Sequence, residues 1–217
     1  LTITRWHRGA LRRANTLQRG RSIGLYGGSF NPAHEGHLHV ALKAIKYLNL
    51  DEIWLLVSPG NPLKNDSDMA PFEARFDSLK ELVTHHPNLK VCNVETGLNT
   101  RFAIDTIRAL QAEMPHTNFV WLMGADNFLS FDKWHKWEQI ARMVPIAIFD
   151  RSGYALKGFA RGLGKRFGKF RSRFRAFDVT QKPNWTFVAI PRHPGSATEI
   201  RARKGKSWHS DKEGKET

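Results

Sequence analysis

From Ser22 onward, short runs of β-branched and aromatic residues alternate with longer segments whose apolar positions recur at helical spacing. That alternation predicts an α/β fold, a Rossmann-like open parallel sheet with helices on both faces. The strands expected are residues 22–26, 52–58, 89–94, 118–123, 145–149 and 185–190. Helices are expected over 36–48, from Pro71 to about His85, over 103–113 and over 134–143. Pro71 suits a first helical position, and Phe72, Phe76, Leu79 and Val83 fall on one face of the helix that follows.

A chain of 217 residues, 41% hydrophobic and 25% charged, can bury one full core. One catalytic domain over 22–203 is therefore expected, with a basic extension (1–21) before it and a polar tail (204–217) after it. No run of 18 uncharged apolar residues occurs, so no membrane-spanning helix is predicted. The single Cys92 excludes an internal disulfide framework and suits a reducing, cytoplasmic setting. It lies in an alternating segment, where a buried structural thiol is the simpler assignment.

The net charge of +14 matters less than its placement. Residues 1–22 carry six Arg and no acid, and residues 151–177 carry nine Lys or Arg and no acid. The remaining 19 bases face 20 acids. The excess charge is thus assigned to appendages and to a Gly- and Arg-rich insert, 151–177, that carries no clear periodicity. The amino-terminal stretch is Arg-rich and acid-free, as a transit peptide is, but an over-extended or trimmed start is the simpler account.

The segment with most chemical content follows the first strand directly: Gly27-Gly28-Ser29-Phe30-Asn31-Pro32-Ala33-His34-Glu35-Gly36-His37. Two glycines allow a sharp turn and a close approach to an anion, and the N–H groups of the helix that opens there favour negative charge. Neither the dinucleotide fingerprint nor the P-loop is present, since no Lys closes the motif. His34 and His37, three residues apart, can both face the phosphates and stabilise charge in a transition state. The same spacing could form a metal pair, but no Cys is near and His39 is wrongly spaced to share that face. No protein metal ligands are assigned, and His39 is read as a surface or packing residue.

This motif resembles the signature G-G-[ST]-F-[DN]-P-x-H-x-G-H of bacterial nicotinate-nucleotide adenylyltransferases, members of the H-x-G-H nucleotidyltransferase superfamily. Further landmarks follow in order: Asn61-Pro62-Leu63-Lys64, Gly124-Ala125-Asp126-Asn127, Trp134, Asp150-Arg151-Ser152-Gly153-Tyr154, and Ser196-Ala197-Thr198-Glu199-Ile200-Arg201. The resemblance implies the nucleotidyltransferase fold and adenylyl transfer from ATP to nicotinate mononucleotide, with Mg²⁺ accompanying the triphosphate. It implies phosphate contacts from Gly27, Gly28, Ser29 and Phe30, transition-state stabilisation by His37, and a triphosphate contact from His34. Ser196 and Thr198 become hydroxyl donors, Arg201 a clamp on the departing pyrophosphate, Lys64 a second cation and Asp126 a nucleotide contact. On the acceptor side, Trp134 resembles the residue that stacks on the pyridine ring. Phe102 and Ala103 stand where Tyr-Thr is common, so two hydroxyls are missing there, whereas Asp105 and Thr106 follow the usual pattern. Gly195 replaces the usual Ile.

Rival readings differ in acceptor or in class. Nicotinamide mononucleotide differs from the nicotinate compound only in amide against carboxylate. Phosphopantetheine adenylyltransferases usually carry Thr where this chain has His34. A nucleic-acid-binding module is suggested by a pI near 10.3 and by Phe159, Phe167, Phe170, Phe174 and Phe177 interleaved with bases, but a basic lid over the phosphate site or a homo-oligomer contact explains the same residues with less.

Overall fold

The structure, a computed structural model, describes residues 8–60, 69–150, 156–191, 200, 201 and 208. Its elements are α1 (Arg8–Leu17), β1 (Ser22–Gly28), α2 (Glu35–Leu48), β2 (Glu52–Val57), α3 (Phe72–Leu82), β3 (Leu89–Cys92), α4 (Val94–Gly97), α5 (Ala103–Glu113), β4 (Asn118–Gly124), α6 (Ala125–Ser130), α7 (Trp137–Met143), β5 (Ile146–Asp150), α8 (Leu156–Phe159), α9 (Gly162–Arg166), β6 (Arg171–Ser172) and β7 (Trp185–Ala189). Among the described residues the strands form one parallel sheet of seven, in the order β3-β2-β1-β4-β5-β7-β6.

Alternate strand residues supply two separate cores, as the period-two side-chain rule requires. On one face Ile23, Leu25, Phe119, Trp121, Ile146 and Ile148 meet apolar residues of α1, α5 and α7. On the other Tyr26, Ile53, Leu55, Val120, Leu122 and Ala147 meet Val40, Ala41 and Ala44 of α2 and Phe76 and Leu79 of α3. The chain runs outward from β1 to β3, then returns to place β4 on the other side of β1. The order therefore reverses between β1 and β4, and a crevice outside their carboxyl ends is where such sheets bind ligands.

Several boundaries differ from those predicted. The third strand ends at Cys92, because Val94 starts the short α4. The predicted 134–143 helix begins at Trp137, after a separate α6 and a 3₁₀ turn over residues 131–133. Pro71 is the N-cap of α3 rather than its first residue.

Residues 8–17, expected within a basic extension, form α1, with Leu11 fully buried and Ala14 nearly so in the core shared with α5. The residues after it are tied in as well. Glu52, at the start of β2, accepts hydrogen bonds from Gln18 Nε2 (3.2 Å), Arg21 Nη1 (3.2 Å) and Trp54 Nε1 (3.1 Å). Thr117 Oγ1 donates to the Gln18 carbonyl at 3.0 Å. Among the described residues, no helix is long and apolar enough to cross a membrane.

Replacing Leu11 with Ala should lower the unfolding free energy by about 2–4 kcal/mol, read as a shift in urea midpoint. An unchanged midpoint would mean that α1 is not part of the folded core.

Candidate active site at the carboxyl ends of β1 and β4

The cradle 27–37 leaves β1 and opens into α2 at the reversal of strand order. Its glycines act differently from the expectation. Both still belong to β1, and among the described residues neither has a positive φ. What each lacks is room for a side chain: a Cβ on Gly27 would lie 3.1 Å from the Trp121 ring, and one on Gly28 would lie 3.2 Å from the Phe30 ring. The sharp turn falls instead on Phe30, at φ 47°, an unusual conformation for a bulky residue. Its ring is buried and packs edge-on against His37, with centroids 4.9 Å apart.

His34 caps α2. Its backbone is extended (φ −153°, ψ 164°), and its Nδ1 accepts the Gly36 N–H at 3.1 Å. Nδ1 stands the same number of bonds from Cα as the Oδ1 of Asn, so the ring does what a favoured Asn cap does. His37 closes the reciprocal bond, its Nδ1 accepting the His34 N–H at 3.2 Å. The rings stack at 3.8 Å between centroids, 32° apart in plane. A neutral imidazole whose Nδ1 accepts carries its proton on Nε2. Both histidines thus keep an Nε2–H donor at the positive end of α2, where an anion is favoured.

Arg75 of α3 was not singled out from the sequence, yet its guanidinium holds this end of the sheet. It is 1% exposed, and Nη1 donates to the carbonyls of Ser29 (2.8 Å) and Ser58 (2.7 Å), Nη2 to Pro59 (3.2 Å) and Nε to Ala70 (2.9 Å). Burial lowers its pKa from the usual value. The available signal was position: Arg75 falls one turn from Phe72 and Leu79, on the apolar face.

Asn31 is a second tie. Its Oδ1 accepts from Ala70 N–H (3.2 Å) and from Trp208 Nε1 (3.3 Å), and its carbonyl accepts from Arg201 Nη1. Arg201 is thereby brought to the cradle. Trp208 is buried there although the tail reads as polar.

Across the crevice, β4 ends at Gly124 and Asp126 sits in the first turn of α6. A Cβ on Gly124 would meet Asp126 Oδ1 at 2.5 Å, so the glycine is what lets the carboxylate fold back over the strand end. Trp134 packs edge-to-face on Trp121, 6.0 Å between centroids, and the same Trp121 ring lies over Gly27. Trp134 and the 27–37 cradle therefore share one wall, the Trp121 ring. Phe102, the N-cap of α5, packs on His135 with ring centroids 4.5 Å apart, and His135 directly follows Trp134 in the chain.

Thr106 is fully buried, its hydroxyl 2.7 Å from that of Thr100. It holds the turn before α5 rather than facing the crevice. Asp105 makes a surface ion pair with Arg108 at 3.7 Å. Lys64, Ser196 and Thr198 lie outside the described residues.

Comparison with known proteins follows the same outline. The family model described as cytidylyltransferase-like matches residues 25–203. A probable nicotinate-nucleotide adenylyltransferase of Rhizobium johnstonii is 43% identical over 199 residues, covering 90% of this chain and 98% of that protein. One of Brucella abortus is 41% identical over 183 residues, covering 83% and 94%. The solved nicotinic acid mononucleotide adenylyltransferase of Plasmodium falciparum, complexed with NaAD, superposes with a TM-score of 0.65 at 17% identity, covering 84% and 83%. At that identity it establishes the fold alone.

The turn that carries Phe102 also depends on Glu95, whose carbonyl accepts the Thr100 N–H at 2.9 Å. Burial pushes the Glu95 carboxyl from the usual 4.5 up to about 8. Between those values the folded state holds a proton that the unfolded chain has lost, so this group's contribution to stability falls as pH rises through that window. Glu95→Gln should match the parent near pH 4.5 and exceed its stability at pH 8 and above by about 2 kcal/mol or more, measured by denaturant unfolding across pH. Equal stabilities at high pH would contradict the burial of that charge.

Proposed function

The chain belongs to the nicotinate-nucleotide adenylyltransferases, within the cytidylyltransferase-like family, and we propose that its cradle residues carry out the transfer by positioning and charge alone. The reaction joins the adenylyl group of ATP to nicotinate mononucleotide, giving nicotinate adenine dinucleotide and pyrophosphate, a step of NAD biosynthesis. The observation that carries the residue assignment is the reciprocal cap, which orients the Nε2–H of both His34 and His37.

An acceptor phosphate is already an anion at neutral pH, so the reaction needs no protein nucleophile. The acceptor phosphate oxygen forms a bond to the α-phosphorus as the bond to the bridging oxygen of pyrophosphate breaks, and no proton has to move. His37 donates to the α-phosphate oxygens as charge builds there, His34 donates to the triphosphate, and backbone N–H groups of the cradle, from Gly28 to Phe30, hold the phosphates in line. Arg201, tied to the Asn31 carbonyl, neutralises the departing pyrophosphate, with Ser196, Thr198 and Lys64 as further donors. Asp126 contacts the nucleotide. Trp134 offers a flat face to the pyridine ring, with backbone N–H groups near Phe102 and Ala103 serving its carboxylate. The hydroxyl of Thr106 supports that turn, and Asp105 lies in the first turn of the same helix.

Among the described residues no group of three His, Cys, Asp or Glu could hold a metal ion. A divalent ion, Mg²⁺ in this reading, fits as a ligand of the triphosphate itself, which is how Mg²⁺ is usually held in nucleotide sites. It would supply neutralisation of the phosphate charges. A cytoplasmic setting completes the reading, consistent with a single, buried cysteine, Cys92.

His37→Ala should lower kcat by about a hundredfold or more with little change in KM for either substrate and with the fold retained by circular dichroism. Near-normal turnover would refute the role of His37. Separately, the wild-type enzyme assayed with nicotinate mononucleotide, nicotinamide mononucleotide and phosphopantetheine should favour the first in kcat/KM. Preference for either of the others would displace the acceptor assignment.

A further inference from the structure

The basic insert contains an order that its composition hides. Lys169, Arg171, Arg173 and Arg175 occupy alternate positions and all four are exposed. The residues between them turn the other way. Phe170 packs against the core of one sheet face, Phe174 against the core of the other beside Tyr47, and Ser172 Oγ donates to Asn184 Oδ1 at 2.6 Å. Residues 171–173 are extended, centred on the edge strand β6, and 3₁₀ turns over 168–170 and 174–176 flank them and carry Lys169 and Arg175. The backbone is extended at Arg171 and at Arg173, so these two outward cations stand about 7 Å apart, comparable to the spacing of successive phosphates along a nucleic-acid strand.

The cations are held in place and are not neutralised. The Arg171 guanidinium lies 4.4 Å from the Phe159 ring centroid and 5.7 Å from that of Trp185, and Lys169 Nζ lies 5.0 Å from that of Phe170. Arg161 and Arg166 pair with Asp132 and Glu138 at 3.8 and 3.5 Å. No ion pair among the described residues involves Lys165, Lys169, Arg171, Arg173 or Arg175, and residues 151–177 contain no acid. Nor do these charges serve the cradle. Three strands stand between β6 and β1 in the sheet, and the four spacings that result amount to about 19 Å, well beyond the screening length of about 8 Å at physiological salt. Charge on an edge strand also deters pairing with a second chain. Arg171 alone would do that for a strand of two residues; it does not account for bases from 165 to 175.

We propose that this edge binds the phosphodiester backbone of nucleic acid through charge, without reading the bases. Among the described residues of the insert no stacking platform is exposed, because Phe159, Phe167, Phe170, Phe174 and Phe177 all pack inward on the two cores, and sequence-tolerant single-strand binders depend on such platforms. A duplex should therefore bind more tightly than a single strand, following its greater charge density. A lipid surface fits less well. Peripheral membrane segments insert apolar side chains, and the exposed large hydrophobic residues among those described are Leu17 and Leu42, both outside the insert.

The test is fluorescence anisotropy of the full chain with short labelled duplexes and single strands of mixed sequence, at salt from about 50 to 200 mM. A triple variant, Lys165→Glu with Lys169→Glu and Arg173→Glu, is measured beside it. Expected are sequence-independent binding that weakens with salt, a duplex preference, and at least a tenfold loss in the variant at about 100 mM salt. Loss of three phosphate contacts should reduce the magnitude of the log–log salt slope by about 2–3. Adenylyl transfer and melting temperature should stay at parental values; if the reversals unfold the chain, the corresponding Gln substitutions carry the test. The proposal is overturned if the wild type binds neither nucleic acid, if the variant binds as well as the parent, or if anionic phospholipid vesicles are bound in preference to both.

Discussion

A buried cation whose hydrogen-bond partners among the described residues are all backbone carbonyls holds the end of the sheet where the 27–37 loop sits. The Arg75 guanidinium collects carbonyls from the cradle at Ser29, from the end of β2 at Ser58 and Pro59, and from the approach to α3 at Ala70. Desolvating a cation is costly, and here the lost hydration is replaced by oriented carbonyl dipoles. Without the cation those carbonyls would converge on one another. With it, three separate segments are held in one arrangement, and positive charge lies beneath the 27–37 loop.

The remaining parts of the site build on that arrangement. Asn31, on the anchored loop, draws in Ala70, Arg201 and Trp208. Phe30 turns the chain at positive φ and packs on His37, and the bare Cα atoms of Gly27 and Gly28 leave space for the rings of Trp121 and Phe30. In both histidines Nδ1 serves the helix cap, which puts the proton of the neutral ring on Nε2, the donor that the proposed reaction uses. Positioning a phosphate and a triphosphate in line requires little more than this, since the nucleophile arrives already ionised.

Much of this was legible in the sequence. Regular apolar periodicity located the six longer strands and the main helices, and the placement of motifs after strand ends located the crevice. What escaped shares a cause: local composition masked a tertiary role. Six arginines made residues 1–22 read as an appendage, although Leu11 and Ala14 give α1 a buried stripe. Arg75 was hidden because a charged residue on an apolar helix face looks like an exception until its carbonyl partners are seen. Glycine was credited with turning the chain, whereas the turn falls on Phe30 and the glycines make room for aromatic rings. In the insert, β6 is too short to announce itself, and only its place at the sheet edge shows that Phe170 and Phe174 face inward while the bases between them face out.

The central claim is that His34 and His37 are neutral, with Nδ1 accepting from backbone and Nε2 carrying the proton toward the phosphates. Long-range ¹H–¹⁵N correlation of the imidazole rings measures this directly, in the enzyme alone and with ATP bound. The account predicts an unprotonated Nδ1 and a protonated Nε2 for both residues in both states. A proton on Nδ1 of either ring would break the reciprocal cap and contradict the arrangement on which the proposed catalysis rests.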